Sequence, residues 1–152
     1  MAHYFNPTKT LEDKLGFAAS NYENVQSIPQ IVKYLEGSSE AIAEHEGKLQ
    51  KILLDFLNSR SDITVIGSTS SDSSVRVPTI SFTVEGVSSK KLVNDAEKIS
   101  NYGFRWGHFY SKRLCDEVLG IAPEGVARVS MVHYNTEDEI RGLIEVLKKV
   151  LP

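Results

Sequence analysis

The chain carries a single cysteine, Cys115, so an internal disulfide framework is excluded and the usage fits a reducing compartment. Long apolar runs are missing as well. No stretch approaches the roughly 20 residues that span a bilayer, and the start, Met1-Ala-His-Tyr-Phe-Asn-Pro-Thr-Lys9, lacks the apolar core of a secretion signal. Neither sign of charge dominates: 17 basic and 20 acidic residues are mixed along the chain and leave a formal charge of -3, which sets up no field to gather nucleic acid or anionic lipid. There is no Gly-x-Ser-x-Gly elbow, no phosphate-cradling glycine loop and no dinucleotide fingerprint. His108 and His133 are far apart and lack nearby cysteine or aspartate partners, so no metal signature is read. Together these absences leave a cytoplasmic protein with no membrane, nucleic-acid or metal partner as the expectation.

What is present suffices for one core: 152 residues, 41% of them hydrophobic, and no internal repeat. Residues 1–20 show no sustained period and read as an arm. From Asn21, a helix N-cap, Val25, Ile28, Val32 and Leu35 recur at helical spacing, with Pro29 as a bend or first-turn residue and Gly37 as the stop. A longer helix from Ser39 sets Ile42, Leu49, Ile52, Leu53, Phe56 and Leu57 on one face. Ile63 to Gly67 is a short β-branched strand, and Ser68 to Ser74 is too polar to pack, hence a mobile surface loop. Thr79 to Val84 alternates with period two and turns Ile80, Phe82 and Val84 inward. Ser88 or Ser89 caps a helix bearing Leu92, Val93, Ala96 and Ile99; an extended piece at Phe104 to Trp106 and a helix from Tyr110 to Val118 follow. The order ααββαβαβα predicts an α+β fold, a small and mainly antiparallel sheet covered by helices.

The segment from Val126 to Glu139 concentrates the most information. Val126, Val129, Met131 and Val132 read as a largely buried strand, and Arg128 among them needs a planar anionic partner. That partner is either a carboxylate of the protein, making a structural salt bridge, or a ligand; the residues leave both open. Thr136-Glu-Asp-Glu139 then forms a capping box, and Ile140, Leu143, Ile144, Leu147 and Leu151 make one apolar helix face. Cys115, among Lys112, Arg113 and Leu119, reads as a packed small hydrophobe rather than an activated thiol. Tyr102 to Tyr110 interleaves aromatics and glycines as an RNA-stacking strand would, but a companion aromatic strand and a basic face are lacking.

With these residues laid out, the chain resembles the C-terminal small domain of class V aminotransferases, and within them the cysteine-desulfurase-like branch. The resemblance runs over nearly the whole chain, through Lys14-Leu15, Asn21-Tyr-Glu23, Ile28-Pro29 and Pro78-Thr-Ile-Ser-Phe-Thr83. Its specific motifs are Phe104-Arg-Trp-Gly-His-Phe-Tyr110 and Arg128-Val-Ser-Met-Val-His-Tyr-Asn-Thr136. It implies that Arg128 clamps the α-carboxylate of an amino-acid substrate through a bidentate pair, with Arg105, His108 and Asn135 as further substrate-binding positions. It also implies that residues 1–20 are an interdomain and interface arm, and that residues 21–152 are the small domain. The cofactor of such enzymes is pyridoxal phosphate, and the complete enzyme is a homodimer.

Departures from the family pattern limit what the chain does alone. The large domain, with the Schiff-base lysine in a Ser-x-His-Lys type segment, the aspartate for the pyridine nitrogen and most of the phosphate cup, is absent. Tyr110 stands where desulfurases carry the nucleophilic cysteine, five residues short of Cys115, and a phenol cannot carry sulfur away. Ala18-Ala19 replaces the Gly-Thr whose hydroxyl reaches the cofactor phosphate. The expectation is therefore a fragment or split part of a pyridoxal-phosphate enzyme, with no catalytic or cofactor-binding residue of its own. It would bind pyridoxal phosphate only with a large domain supplied in cis or in trans. The alternative is a non-catalytic small-molecule-binding or protein-interaction domain that keeps the fold.

Overall fold

The computed structural model describes residues 21–121 and 123–152, so the expected arm over residues 1–20 lies outside the described residues. The chain divides into two compact units, Met1–Ser38 and Ser39–Pro152. In the first, helix α1 (Tyr22–Leu35) starts where the Asn21 side chain accepts from the Asn24 amide at 2.9 Å. Pro29 lies inside the helix rather than at its first turn, which removes one backbone hydrogen bond without ending it. Beyond Leu35 the Glu36 amide still reaches the Val32 carbonyl at 2.9 Å, and Gly37, at φ 75°, turns the chain out of the helix.

The second unit is a sheet with helices packed on one of its faces. Helix α2 (Ser39–Asn58) leads into β1 (Ile63–Ile66) and β2 (Thr79–Val84); then come α3 (Ser89–Ile99), β3 (Arg105–Gly107), β4 (Val126–Ser130) and α4 (Glu137–Val150). The strands run in the order β1-β2-β4-β3, every neighbour antiparallel. The period-two pattern of β2 sets this sheet: Ile80, Phe82 and Val84 are buried, and across the ladder they meet Val129 and Ala127 of β4 and Val65 and Ile63 of β1. Against that face α2 places Leu49, Leu53 and Leu57, α3 places Leu92, Val93 and Ala96, and α4 places Ile140, Leu143 and Leu147. Each such fully buried aliphatic side chain contributes roughly 1.5–3 kcal/mol. The α4 cap forms in full, with the Thr136 hydroxyl accepting from the Glu139 amide at 3.2 Å and the Thr136 amide donating to the Glu139 carboxylate at 2.8 Å.

Some expectations need correction. The buried strand ends at Ser130, and Val132 beyond it is exposed. The serine-rich segment is not free: the buried Gln50 amide donates to the Ser71 carbonyl at 2.7 Å, Asn58 donates to the Thr69 carbonyl at 3.3 Å, and Arg76 holds the Ser68 and Thr79 carbonyls. Composition hid the tether, because the groups that hold this loop lie on a helix twenty residues upstream and at its far end. The expected helix from Tyr110 to Val118 is replaced. Phe109 (φ 49°) and Tyr110 (φ 63°) are both left-handed, and the Ser111 amide donates to the His108 carbonyl at 2.8 Å. That is the pattern of a type I′ turn, which no helix can run through. Only afterwards does a short π-helical turn form at Leu114–Val118, held by the Leu119 amide on the Leu114 carbonyl at 3.0 Å.

Candidate functional site

Arg128 sits in the middle of β4, directly opposite Ser81 of β2 on one side and Arg105 of β3 on the other. Directly opposite residues share a face, and the alternation that buries Ala127 and Val129 turns these three toward the face away from the helices. There the His108–Ser111 turn and the π-helical turn fold back over the sheet and enclose a cleft of about 250 Å³. Ser81, Thr79, His108, Ser111, Cys115 and Arg128 are among its walls. Arg128 is half-buried, and its Cζ lies 3.8 Å from the centroid of the Phe109 ring. Its Nε is buried without a hydrogen-bond partner, and so is Nε2 of His108 in the same cleft.

This geometry decides between the two readings of Arg128 as far as the described residues go. Among them no carboxylate pairs with Arg128 or Arg105, although nine other cation–carboxylate pairs are formed. Two guanidiniums opposite each other repel, and an unsatisfied buried N–H costs about 1–3 kcal/mol. An anion entering the cleft would relieve both. The hydroxyls of Thr79, Ser81 and Ser111 add neutral donors around it, so the site is built to receive a small carboxylate or similar anion.

Of the residues singled out from the sequence, Arg128 and His108 line this cleft, and Arg105 stands exposed on the same sheet face beside Arg128. Asn135 does not line it. Its side chain accepts from the Val132 amide at 2.9 Å and donates to Glu139 at 3.4 Å, its carbonyl meets His45 Nε2 at 2.8 Å, and it borders a separate hollow of about 210 Å³ with Tyr102 and Met131. Asn135 thus shapes the loop before α4. The Glu139 carboxyl there is held below its ordinary value, first by the Thr136 amide and then by the Asn135 side chain. Phe109, Ser81 and Ser111 went unnoticed in the sequence; adjacency to His108 was the one available signal for Phe109. Cys115 is buried as expected, with its flank on the cleft.

Pyridoxal phosphate does not fit these walls. No lysine lines the cleft to bind an aldehyde cofactor, and no carboxylate lines it to pair with a pyridinium nitrogen. Among the described residues no cluster of His, Cys, Asp and Glu could hold a metal ion, and no helix is long and apolar enough to cross a membrane.

Comparison with known proteins places the chain. The model of the family "Aminotransferase class-V" matches residues 8–143. The chain is 50% identical to the aminotransferase-like protein FGM3 of Gibberella zeae over 99% of its own length and 39% of that protein. It is 31% identical to the cysteine desulfurase-like protein ustD of Aspergillus flavus over 98% of its length and 35% of that protein. The chain therefore spans well under half of these relatives. Among solved structures, the apo cysteine desulfurase of Thermococcus onnurineus NA1 superposes with a TM-score of 0.76 at 18% identity, covering 96% of this chain and 35% of the other, a likeness of fold.

Proposed function

As this chain belongs to the aminotransferase class-V family, we propose that it is the substrate-gripping small domain of a pyridoxal-phosphate-dependent, cysteine-desulfurase-like enzyme. The observation that carries this reading is Arg128: a half-buried guanidinium on a sheet, facing a second arginine, with no carboxylate partner among the described residues. Its planar fork suits the α-carboxylate of an amino acid, and Ser81 and Ser111 stand where they can add donors. Held by the carboxylate, an amino acid has its Cα and amino group fixed relative to whatever lies across the cleft. His108 Nε2, buried and unpartnered, is available to accept from or donate to that substrate. Family members in general depend on pyridoxal phosphate. A large domain, in cis or in trans, would hold it, and no step of its chemistry is assigned to residues of this chain. Sulfur transfer is not part of the proposal, because the position that resembles the desulfurase nucleophile is Tyr110, a fully exposed phenol. The substrate is an amino acid, and the working enzyme is a cytoplasmic homodimer.

The test is Arg128→Ala in the enzyme completed by its large domain. Loss of a bidentate, charge-assisted contact of about 1.5–3 kcal/mol should raise KM for the amino acid by roughly 10- to 100-fold. Unchanged KM and kcat would overturn the assignment. The absence of lysine from the cleft favours one other reading, a non-catalytic binding domain. Borohydride trapping of pyridoxal phosphate on this chain bears on both: a stable adduct at a single lysine would contradict the claim that the cofactor is held elsewhere.

A further inference from the structure

The sharpest local anomaly is the turn that carries Phe109. A type I′ turn needs positive φ at both central residues, and glycine, asparagine and aspartate fill those places readily. Here they hold Phe109 at 49° and Tyr110 at 63°, two bulky side chains in a region that bulky residues avoid. Strain of this kind persists only where the surrounding structure over-determines it. The contact that does so is on the page: the Phe109 ring lies 3.8 Å from Cζ of Arg128, at van der Waals distance, while His108 and Ser111 at the two ends of the turn line the cleft.

We infer that Phe109 is a positioning residue for Arg128, with its ring occupying the face of the guanidinium so that the N–H edge alone is presented to the substrate carboxylate. The inference rests on the carboxylate-clamp reading of Arg128 and adds to it. An arginine side chain has several rotatable bonds and, opposite Arg105, is pushed away from the sheet by like charge. A ring against its flat face fixes the plane without using any of its donors. The buried Nε, left without a protein acceptor, is consistent with an edge kept free for a ligand. A carboxylate bonds a guanidinium in its plane, so a ring on the face does not compete with it.

The strain gives an unusual test. Asparagine suits the left-handed backbone better than phenylalanine does, so Phe109→Asn should leave the thermal midpoint of the full chain unchanged or raised while removing the ring. In the native chain the Arg128 side-chain proton resonances should carry the upfield shift of an aromatic face, and they should move in a concentration-dependent way on titration with L-alanine. In Phe109→Asn the upfield shift should vanish and L-alanine should bind about fivefold more weakly. Phe109→Trp, which restores a face, should bind within about twofold of native. A Phe109→Asn chain that binds L-alanine as tightly as native, while Arg128→Met binds none, would sink the positioning role and leave the clamp standing. A clear fall in midpoint would equally overturn it, since the ring would then be structural. If Arg128→Met binds L-alanine as well as native does, the clamp itself fails.

Discussion

Arg128→Met separates a ligand-binding arginine from a structural one by the sign of its effect on stability. Met131-like in length and flexibility, a methionine at this position keeps the stem of the side chain and deletes the charge. Deletion removes an unsatisfied buried N–H, a cost of about 1–3 kcal/mol, and a like-charge neighbour directly across the ladder, about 0.2–1 kcal/mol. Against these stands the lost contact with Phe109, about 0.5–2 kcal/mol. The balance lies between neutrality and about 2 kcal/mol of stabilisation. For a chain of this size that is an upward shift of up to about 8 °C in Tm. Urea unfolding of native and variant chains, followed by circular dichroism with m held equal, measures it directly. A structural salt bridge predicts the opposite, because breaking a buried pair strands its partner and costs about 3–5 kcal/mol. A loss of that size in Arg128→Met would refute the argument that the arginine is unpaired within its own chain. The same measurement on Arg105→Met and on the double variant should show that the second substitution gains less than the first, since relief of the repulsion is shared.

Three further outcomes test other parts of the fold. Gly125→Ala should cost about 2–4 kcal/mol in urea unfolding, because Gly125 is left-handed at φ 75° and a Cβ there would lie 2.3 Å from the Gly107 carbonyl oxygen. Thr136→Ala should cost about 1 kcal/mol by removing the side-chain half of the α4 cap, measured the same way. The Glu139 carboxyl is held below its ordinary value of 4.5 by the Thr136 amide, so its contribution is fully present above that value and is lost as pH falls through the lowered folded-state pKa. The acid limb of the urea midpoint against pH should therefore flatten in Glu139→Gln, and an unchanged limb would count against the cap.

What could be read from the sequence was what is local. Asn21 and Thr136 announce helix starts because a cap is satisfied within three residues, and the alternation over Thr79 to Val84 announces which face of β2 is buried because the period is a property of one strand. The strand order was not legible. β4 inserts between β2 and β3, and that pairing joins residues far apart in the chain, so no short-range pattern encodes it. Part of the site was lost for another reason. Phe109-Tyr110 carries no glycine or asparagine to signal a left-handed turn, so the stretch read as the start of a helix. Asn135 shows the reverse error: a polar residue inside a recognisable motif was given to the substrate, whereas its hydrogen bonds are consumed in shaping the loop before α4.

Net charge misled for a reason that bears on the function. The chain has 20 acidic residues against 17 basic ones, yet none of the acids lies on β1, β2, β3 or β4, and the strand face that carries Arg105 and Arg128 otherwise presents threonine, serine and small or apolar groups. The carboxylates sit on helices and loops, several of them already paired with lysines or arginines one turn away. An acidic protein thus keeps a locally cationic sheet face. Coulomb attraction at contact range in a half-enclosed cleft outweighs distant screened charges, so the ligand is chosen by the neighbours of Arg128 and not by the total. It follows that adding acids on the helical side should leave anion binding nearly unchanged. A single carboxylate introduced beside Arg128, as in Ser81→Asp, should abolish it by supplying from within the chain the partner that the arginine lacks.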